Sequence, residues 1–184
     1  FIYATRVSSS LSAHVSSWNV EFSTGEQETT TNVVIEIDRI YPGMETEERN
    51  ITVKNKGEIK AELDYEIVSL KFLDESYRLG GSLTSEELQS KMSEDYPFTA
   101  NITKDDTELF QGIGPGLFSV TVEWPFESGD DELDTLWGNK AYEYYSLNPG
   151  ENSIQIEIKL TAQQIAPSSG TDDNTSEGTG DETG

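Results

Sequence analysis

The chain has 184 residues, 35 acidic against 12 basic side chains, a net charge of −23, one His and no Cys. This inventory excludes disulfides and thiolate zinc sites. It argues against nucleic acid, whose phosphates require clustered Lys and Arg, and against adsorption to anionic lipid. An aromatic content of 10% speaks for a packed core, because disordered acidic chains seldom carry so many rings. Solvation and colloidal repulsion account for the acidic surface.

No apolar run approaches the ~18 residues of a membrane span, so no membrane insertion is expected. The chain opens at Phe1-Ile2-Tyr3-Ala4 without a Met, which reads as a mature or trimmed chain whose signal has been removed. Lack of Cys is compatible with export to a bacterial or archaeal surface. A secreted, cell-surface location is therefore expected.

Residues 1–15 alternate. Odd positions read Phe1, Tyr3, Thr5, Val7, Ser9, Leu11, Ala13 and Val15, and even positions after Ile2 read Ala4, Arg6, Ser8, Ser10, Ser12, His14 and Ser16. Period two predicts an extended arm, residues 1–16, with one apolar face. At Ser16-Ser17 the phase flips, and Trp18, Val20 and Phe22 put the apolar set on even positions. Such a flip implies a bend, a bulge or a change of sheet. A first core strand is predicted near 17–23, and residues 24–32 read as a polar loop.

Further strands are predicted over Val33–Asp38, Asn50–Asn55 and Lys60–Leu73, the last with a bend near Ser69. Tyr41-Pro42-Gly43 and Asn55-Lys56-Gly57 are turn signals. Thr84-Ser85-Glu86-Glu87 has the form of a capping box, so a short helix is predicted over 84–93. Three short strands follow over Phe98–Thr103, Glu108–Gln111 and Leu117–Trp124. Helical spacing of Leu133, Trp137, Ala141 and Tyr144 predicts a second helix over 132–145, which Gly138 weakens. The final strand runs from Ser153 to Ala162. After Ala166 no apolar or basic residue remains, so residues 166–184 read as an acidic disordered tail or spacer. Short strands, turn signals and two short helices predict an all-β antiparallel sandwich spanning 17–165, either a jelly roll or an immunoglobulin-like Greek key.

Catalytic inventories are poor. A Ser–His–Asp triad has only His14 to draw on, and that residue lies in the serine-rich arm. There is no His-Glu-x-x-His zinc motif. With so many acids, no particular pair stands out as a glycosidase acid and base. Gly112, Gly114 and Gly116 precede a strand instead of opening a helix, unlike a dinucleotide loop. Asp130, Asp131, Glu132 and Asp134 form the densest carboxylate cluster. Asp130, Asp131 and Asp134 are candidate calcium ligands, although acids before a helix also complement its dipole. Trp18, Trp124 and Trp137 read as packing residues before a sugar platform. No catalytic residue and no other cofactor is predicted.

Several stretches resemble the TasA/camelysin family of exported surface proteins. They are Val15-Ser16-Ser17-Trp18-Asn19-Val20, Tyr41-Pro42-Gly43 followed by Ile51 to Gly57, and Val122-Glu123-Trp124-Pro125-Phe126 continuing into Asp131 to Gly138. The resemblance implies a secreted jelly roll that builds extracellular biofilm-matrix fibres, its N-terminal strand donated to the next subunit. Camelysins have been classed as metallopeptidases, but no zinc motif supports that activity here.

The expectation is thus a structural subunit that self-associates into filaments by donor-strand exchange, with Phe1, Tyr3, Val7 and Leu11 as the subunit-contact residues. An ordinary first strand pairing within its own sandwich fits the same alternation. A monomeric adhesive or carbohydrate-binding module is the alternative function, and it predicts aromatics exposed on one face.

Overall fold

The computed structural model describes residues 2–7, 15–22, 28–55, 61–106, 108–109 and 116–164. In chain order the elements are β1 (Ile2–Val7), β2 (Val15–Phe22), β3 (Glu28–Ile37), β4 (Glu47–Asn55), β5 (Ala61–Phe72), β6 (Glu75–Arg78), α1 (Ser85–Glu94), β7 (Thr99–Asp106), β8 (Glu108–Leu109), β9 (Gly116–Glu123), α2 (Asp131–Leu147) and β10 (Ile154–Gln164). The strands form two sheets, ordered β1-β2-β4-β9-β7 and β3-β10-β5-β6, with β8 pairing onto β5. All ladders are antiparallel except β2 with β4. This is the expected all-β sandwich-like fold with two short helices; the parallel pair is the departure. It arises because β3, between β2 and β4 in sequence, lies in the other sheet.

Alternation sets the core. Ile154, Ile156, Ile158 and Leu160 of β10 pair with the rows of β3 and β5 and are buried with Ile35, Ile37, Ile67, Leu70 and Phe72. Ile51, Val53, Phe118, Val120 and Val122 supply the facing layer. One end of the core is aromatic. Tyr96 stacks on Phe98 at 4.9 Å and meets Trp137 edge-on at 4.8 Å, and Phe98 contacts Trp124 at 5.2 Å.

The expected bend near Ser69 is a β-bulge. Glu157 pairs with Ser69 but Ile158 with Ile67, which leaves Val68 as the extra residue. Its carbonyl instead accepts from Leu79 N at 2.8 Å. The bulge lets the buried set pass from Ala61, Leu63 and Ile67 to Leu70 and Phe72 without turning the strand over.

The structure departs from the sequence reading at several elements. Residues 28–32, expected in a loop, begin β3; their threonines pair with the C-terminal half of β10, Thr30 opposite Thr161 and Thr31 opposite Leu160, where β-branched residues suit a pleated surface. β6 was not predicted; it is the return arm of a hairpin at the end of β5. α2 runs on to Leu147 and keeps Gly138 inside it, where Pro42 packs at 3.5 Å from a Cβ built at that glycine.

The helix signals hold. Thr84 caps α1: its hydroxyl accepts from Glu87 N while its own N–H donates to Glu87. Ser85 Oγ accepts from Ile67 N at 2.9 Å, tying α1 to β5. No helix among the described residues is long and apolar enough to cross a membrane.

Candidate assembly site

β1 and β2 form an antiparallel hairpin in which Ile2 pairs with Phe22, Ala4 with Val20 and Arg6 with Trp18. β2 then runs parallel to β4, Trp18 pairing with Ile51 and Val20 with Val53. Ile51 and Val53 are fully buried. Residues in register share a face of a pleated sheet, so the core row of the hairpin is the even one: Trp18, Val20 and Phe22 in β2, and Ile2, Ala4 and Arg6 in β1.

β1 carries apolar residues on both rows: Ile2 and Ala4 with Arg6 on the even row, Tyr3 and Val7 with Thr5 on the odd one. Of the four candidate contact residues, Tyr3 and Val7 stand opposite Glu21 and Ser17, on the row away from the core. Phe1 and Leu11 lie outside the described residues, as do His14 and the tail 166–184. The phase flip at Ser16-Ser17 therefore does not coincide with a bend. β2 is continuous from Val15 to Phe22, with no register shift against either neighbour. Across the hairpin the apolar Ile2 and Ala4 pair with Phe22 and Val20, and Arg6 pairs with Trp18.

The carboxylate cluster is divided among separate tasks. Asp130 is the N-cap of α2 and accepts from Leu133 N at 2.9 Å. Asp134 is buried, with Oδ1 accepting from Trp124 Nε1 at 3.0 Å and Oδ2 from the Ser128 amide at 3.0 Å and hydroxyl at 2.9 Å. The Trp124 bond, then the Ser128 amide, hold its carboxyl below its ordinary pKa. Asp131 lines an open groove with Pro42, Phe126 and Asn139. Among the described residues no three His, Cys, Asp or Glu gather to hold a metal. The Trp124–Asp134 bond joins β9 to α2 and is the physical content of the Trp-Pro to Asp-Thr-Leu-Trp stretch; the sequence showed the stretch without showing the bond.

Other polar clusters are internally satisfied. Tyr96 donates to Glu75 at 2.9 Å, and Tyr77 donates to the same oxygen at 3.1 Å. Burial above all, then its bonds with Tyr77 and Glu75, push the Tyr96 phenol well above its ordinary range, so it stays a neutral donor. On the second sheet Lys159 of β10 pairs with Glu66 of β5 at 3.3 Å, and Lys104 of β7 in the first sheet reaches Asp64 of β5 at 3.5 Å, the behaviour of solvated charged pairs.

A second surface escaped the sequence reading. Leu133, Trp137, Ala141 and Tyr144 do face inward in part or whole. Yet exposed large apolar side chains gather on α2 and the loops against it: Tyr41, Phe126, Leu136, Tyr142, Tyr145 and Leu147. Gly43, at φ +78°, lets Phe126 approach to 3.1 Å from where its Cβ would be, and Arg39 lies over Tyr145 at 4.5 Å. A surplus of apolar residues beyond the inward stripe was the available signal.

No protein-family model matches the chain, and no curated protein or solved structure is significantly similar to it.

Proposed function

We propose that the protein is an extracellular structural subunit that polymerises into surface or biofilm-matrix filaments by donating its N-terminal strand to a neighbour. The observation that carries this reading is the place of β1 at the edge of the first sheet, paired with β2. It has apolar residues on both rows, Ile2 and Ala4 beside Arg6 on one and Tyr3 and Val7 on the other. Such an edge strand is able to pair with a neighbour's sheet as well as with its own. Head-to-tail donation does not close, so repetition gives a fibre. The resemblance of residues 122–138 to the TasA/camelysin family points the same way. Neither a catalytic role nor a bound cofactor is part of this reading.

Removal of residues 1–12 tests it. The truncated chain is expected to remain a folded monomer, with its cooperative thermal transition retained, while negative-stain microscopy shows no filaments where the full chain forms them. Filaments from the truncated chain would sink the proposal. Loss of folding on truncation would mark β1 as an ordinary strand of its own sandwich.

The exposed rings around α2 favour one other reading, a monomeric adhesive or carbohydrate-binding module. That reading predicts a monomer at high concentration and loss of ligand binding on Phe126→Ala.

A further inference from the structure

Three positions carry an Asn followed, two residues on, by Thr or Ser, with no Pro between: Asn50-Ile51-Thr52, Asn101-Ile102-Thr103 and Asn174-Thr175-Ser176. This is the acceptor pattern for N-linked sugar, and it also recurs by chance, so the structural setting has to discriminate. Asn174 lies outside the described residues. The other two are set apart by the fold.

Asn50 sits in β4, an inner strand flanked by β2 and β9. It is half-buried, as is Thr52, and its Oδ1 accepts from Ser119 Oγ at 2.8 Å. Asn101 sits in β7, the edge of the same sheet opposite to β1. Ala100 and Ile102 are buried and hold β7 to the core. Alternation then puts Asn101 and Thr103 together on the outer face, where both are exposed. The amide that would be modified and the hydroxyl by which a transferase recognises it thus share one open side. The residues across the ladder are small and uncharged, Thr121 opposite Asn101 and Ser119 opposite Thr103. In a chain of net charge −23, that leaves room for a bulky neutral group with no carboxylate directly opposite.

We infer that Asn101 is the attachment site of an N-linked oligosaccharide and that Asn50 is not. This rests on the extracellular reading, because the donor, an oligosaccharide esterified to a lipid phosphate, and its transferase stand at the exporting membrane. In the transfer, Asn101 Nδ2 forms a bond to the anomeric carbon of the sugar. The bond from that carbon to the phosphate oxygen breaks, the lipid phosphate leaves with the electron pair, and the amide nitrogen gives up one proton. The product is bulky, neutral and solubilising. On β7 it shields a sheet edge whose outward backbone groups are a template for another strand. The exposed Lys104 and the register shift between Lys104 and Asp106 act in the same direction.

Trypsin separates the three acceptors: Asn101 falls in the peptide 92–104, Asn50 in 50–54 and Asn174 in 160–184. The full chain is recovered from its own cells, with surface and culture fractions kept apart from cytoplasm. Its peptides are read by mass spectrometry with fragmentation that retains the sugar. The expected result is a glycopeptide at 92–104 in the exported protein. Asn101→Gln and Thr103→Ala should lose it, Thr103→Ser should keep it, and Asn50→Gln should leave it unchanged. Exported protein whose 92–104 peptide is bare, or which carries sugar only at 50–54 or 160–184, overturns the assignment and leaves the extracellular reading standing. Protein confined to the cytoplasm overturns both.

Discussion

Two strands in this molecule change apolar phase along their length, and they resolve the change differently. In β5 the buried set shifts from odd to even positions between Ile67 and Leu70, and the extra residue Val68 absorbs the shift opposite the Glu157–Ile158 step of β10. Both halves of β5 therefore place their apolar rows in the core. At Ser16-Ser17 the phase also flips, but no bulge answers it. The β1–β2 and β2–β4 ladders run without a register shift, and β1 has apolar residues on both rows. β5 thus sorts its apolar residues onto one side by means of a bulge, and β1 does not sort them.

Deleting Val68 breaks the comparison most severely. Without the bulge, either Ile67 or the Leu70–Phe72 pair moves to the outer face. Loss of two core side chains costs roughly 3–6 kcal/mol, a large part of the 5–15 kcal/mol typical of a domain. The variant is expected to lose its cooperative thermal transition, seen by near-UV circular dichroism. A well-folded variant would show that the bulge does not set the phase.

Reversing the phase of β1 is a milder change with the opposite sign. Exchanging its last two residues, as Arg6→Val with Val7→Arg, puts an apolar residue on the core row beside Trp18 and a charge on the outer row. The hairpin should then hold its own chain more firmly, by about 1–2 kcal/mol, measured as a higher midpoint in urea. If β1 is donated as proposed, filament yield should fall, because the strand now holds its own sheet more firmly. Unchanged stability with unchanged filaments would mean that the row of β1 is immaterial to both.

How legible all this was in the sequence follows from the same rows. Alternation located β4, β5, β9 and β10, because their apolar residues lie on one buried side. The capping box of Thr84 and Glu87 located α1, because that motif is local chemistry. The threonines of residues 29–31 were hidden, since a polar strand edge and a polar loop have the same composition, and only the pairing with β10 distinguishes them. β6 was hidden because four residues, Glu75–Arg78, give too short an alternation to register. The arm was visible as a pattern from Phe1 to Val15. Which row lies toward the core was not, since phase has meaning only relative to a partner, and the partner of β1 is set by the fold. Asp134 was visible as one acid among several; its bond to Trp124 depends on α2 folding back over the end of β9.

That bond marks the end of the core opposite in character to the hairpin, fully satisfied within one chain, and it supplies the smallest expected effect. Asp134 has its pKa depressed in the folded state, first by the Trp124 N–H and then by the Ser128 amide. A depressed carboxyl contributes stability that is fully present above its unfolded pKa, near ~4, and is lost as pH falls through the lower folded value. Asp134→Asn removes that contribution and offers an amide where Ser128 supplies donors. At pH 7 the variant should melt below the parent. As pH is lowered from about 5 to about 2 the difference between the two melting temperatures should shrink, because the parent loses by protonation what the variant lost by substitution. A difference that stays constant across that range would show that Asp134 acts through its shape and not its charge. The same substitution should leave filament formation intact, since nothing in α2 touches the β1–β3 side of the sandwich through this carboxyl.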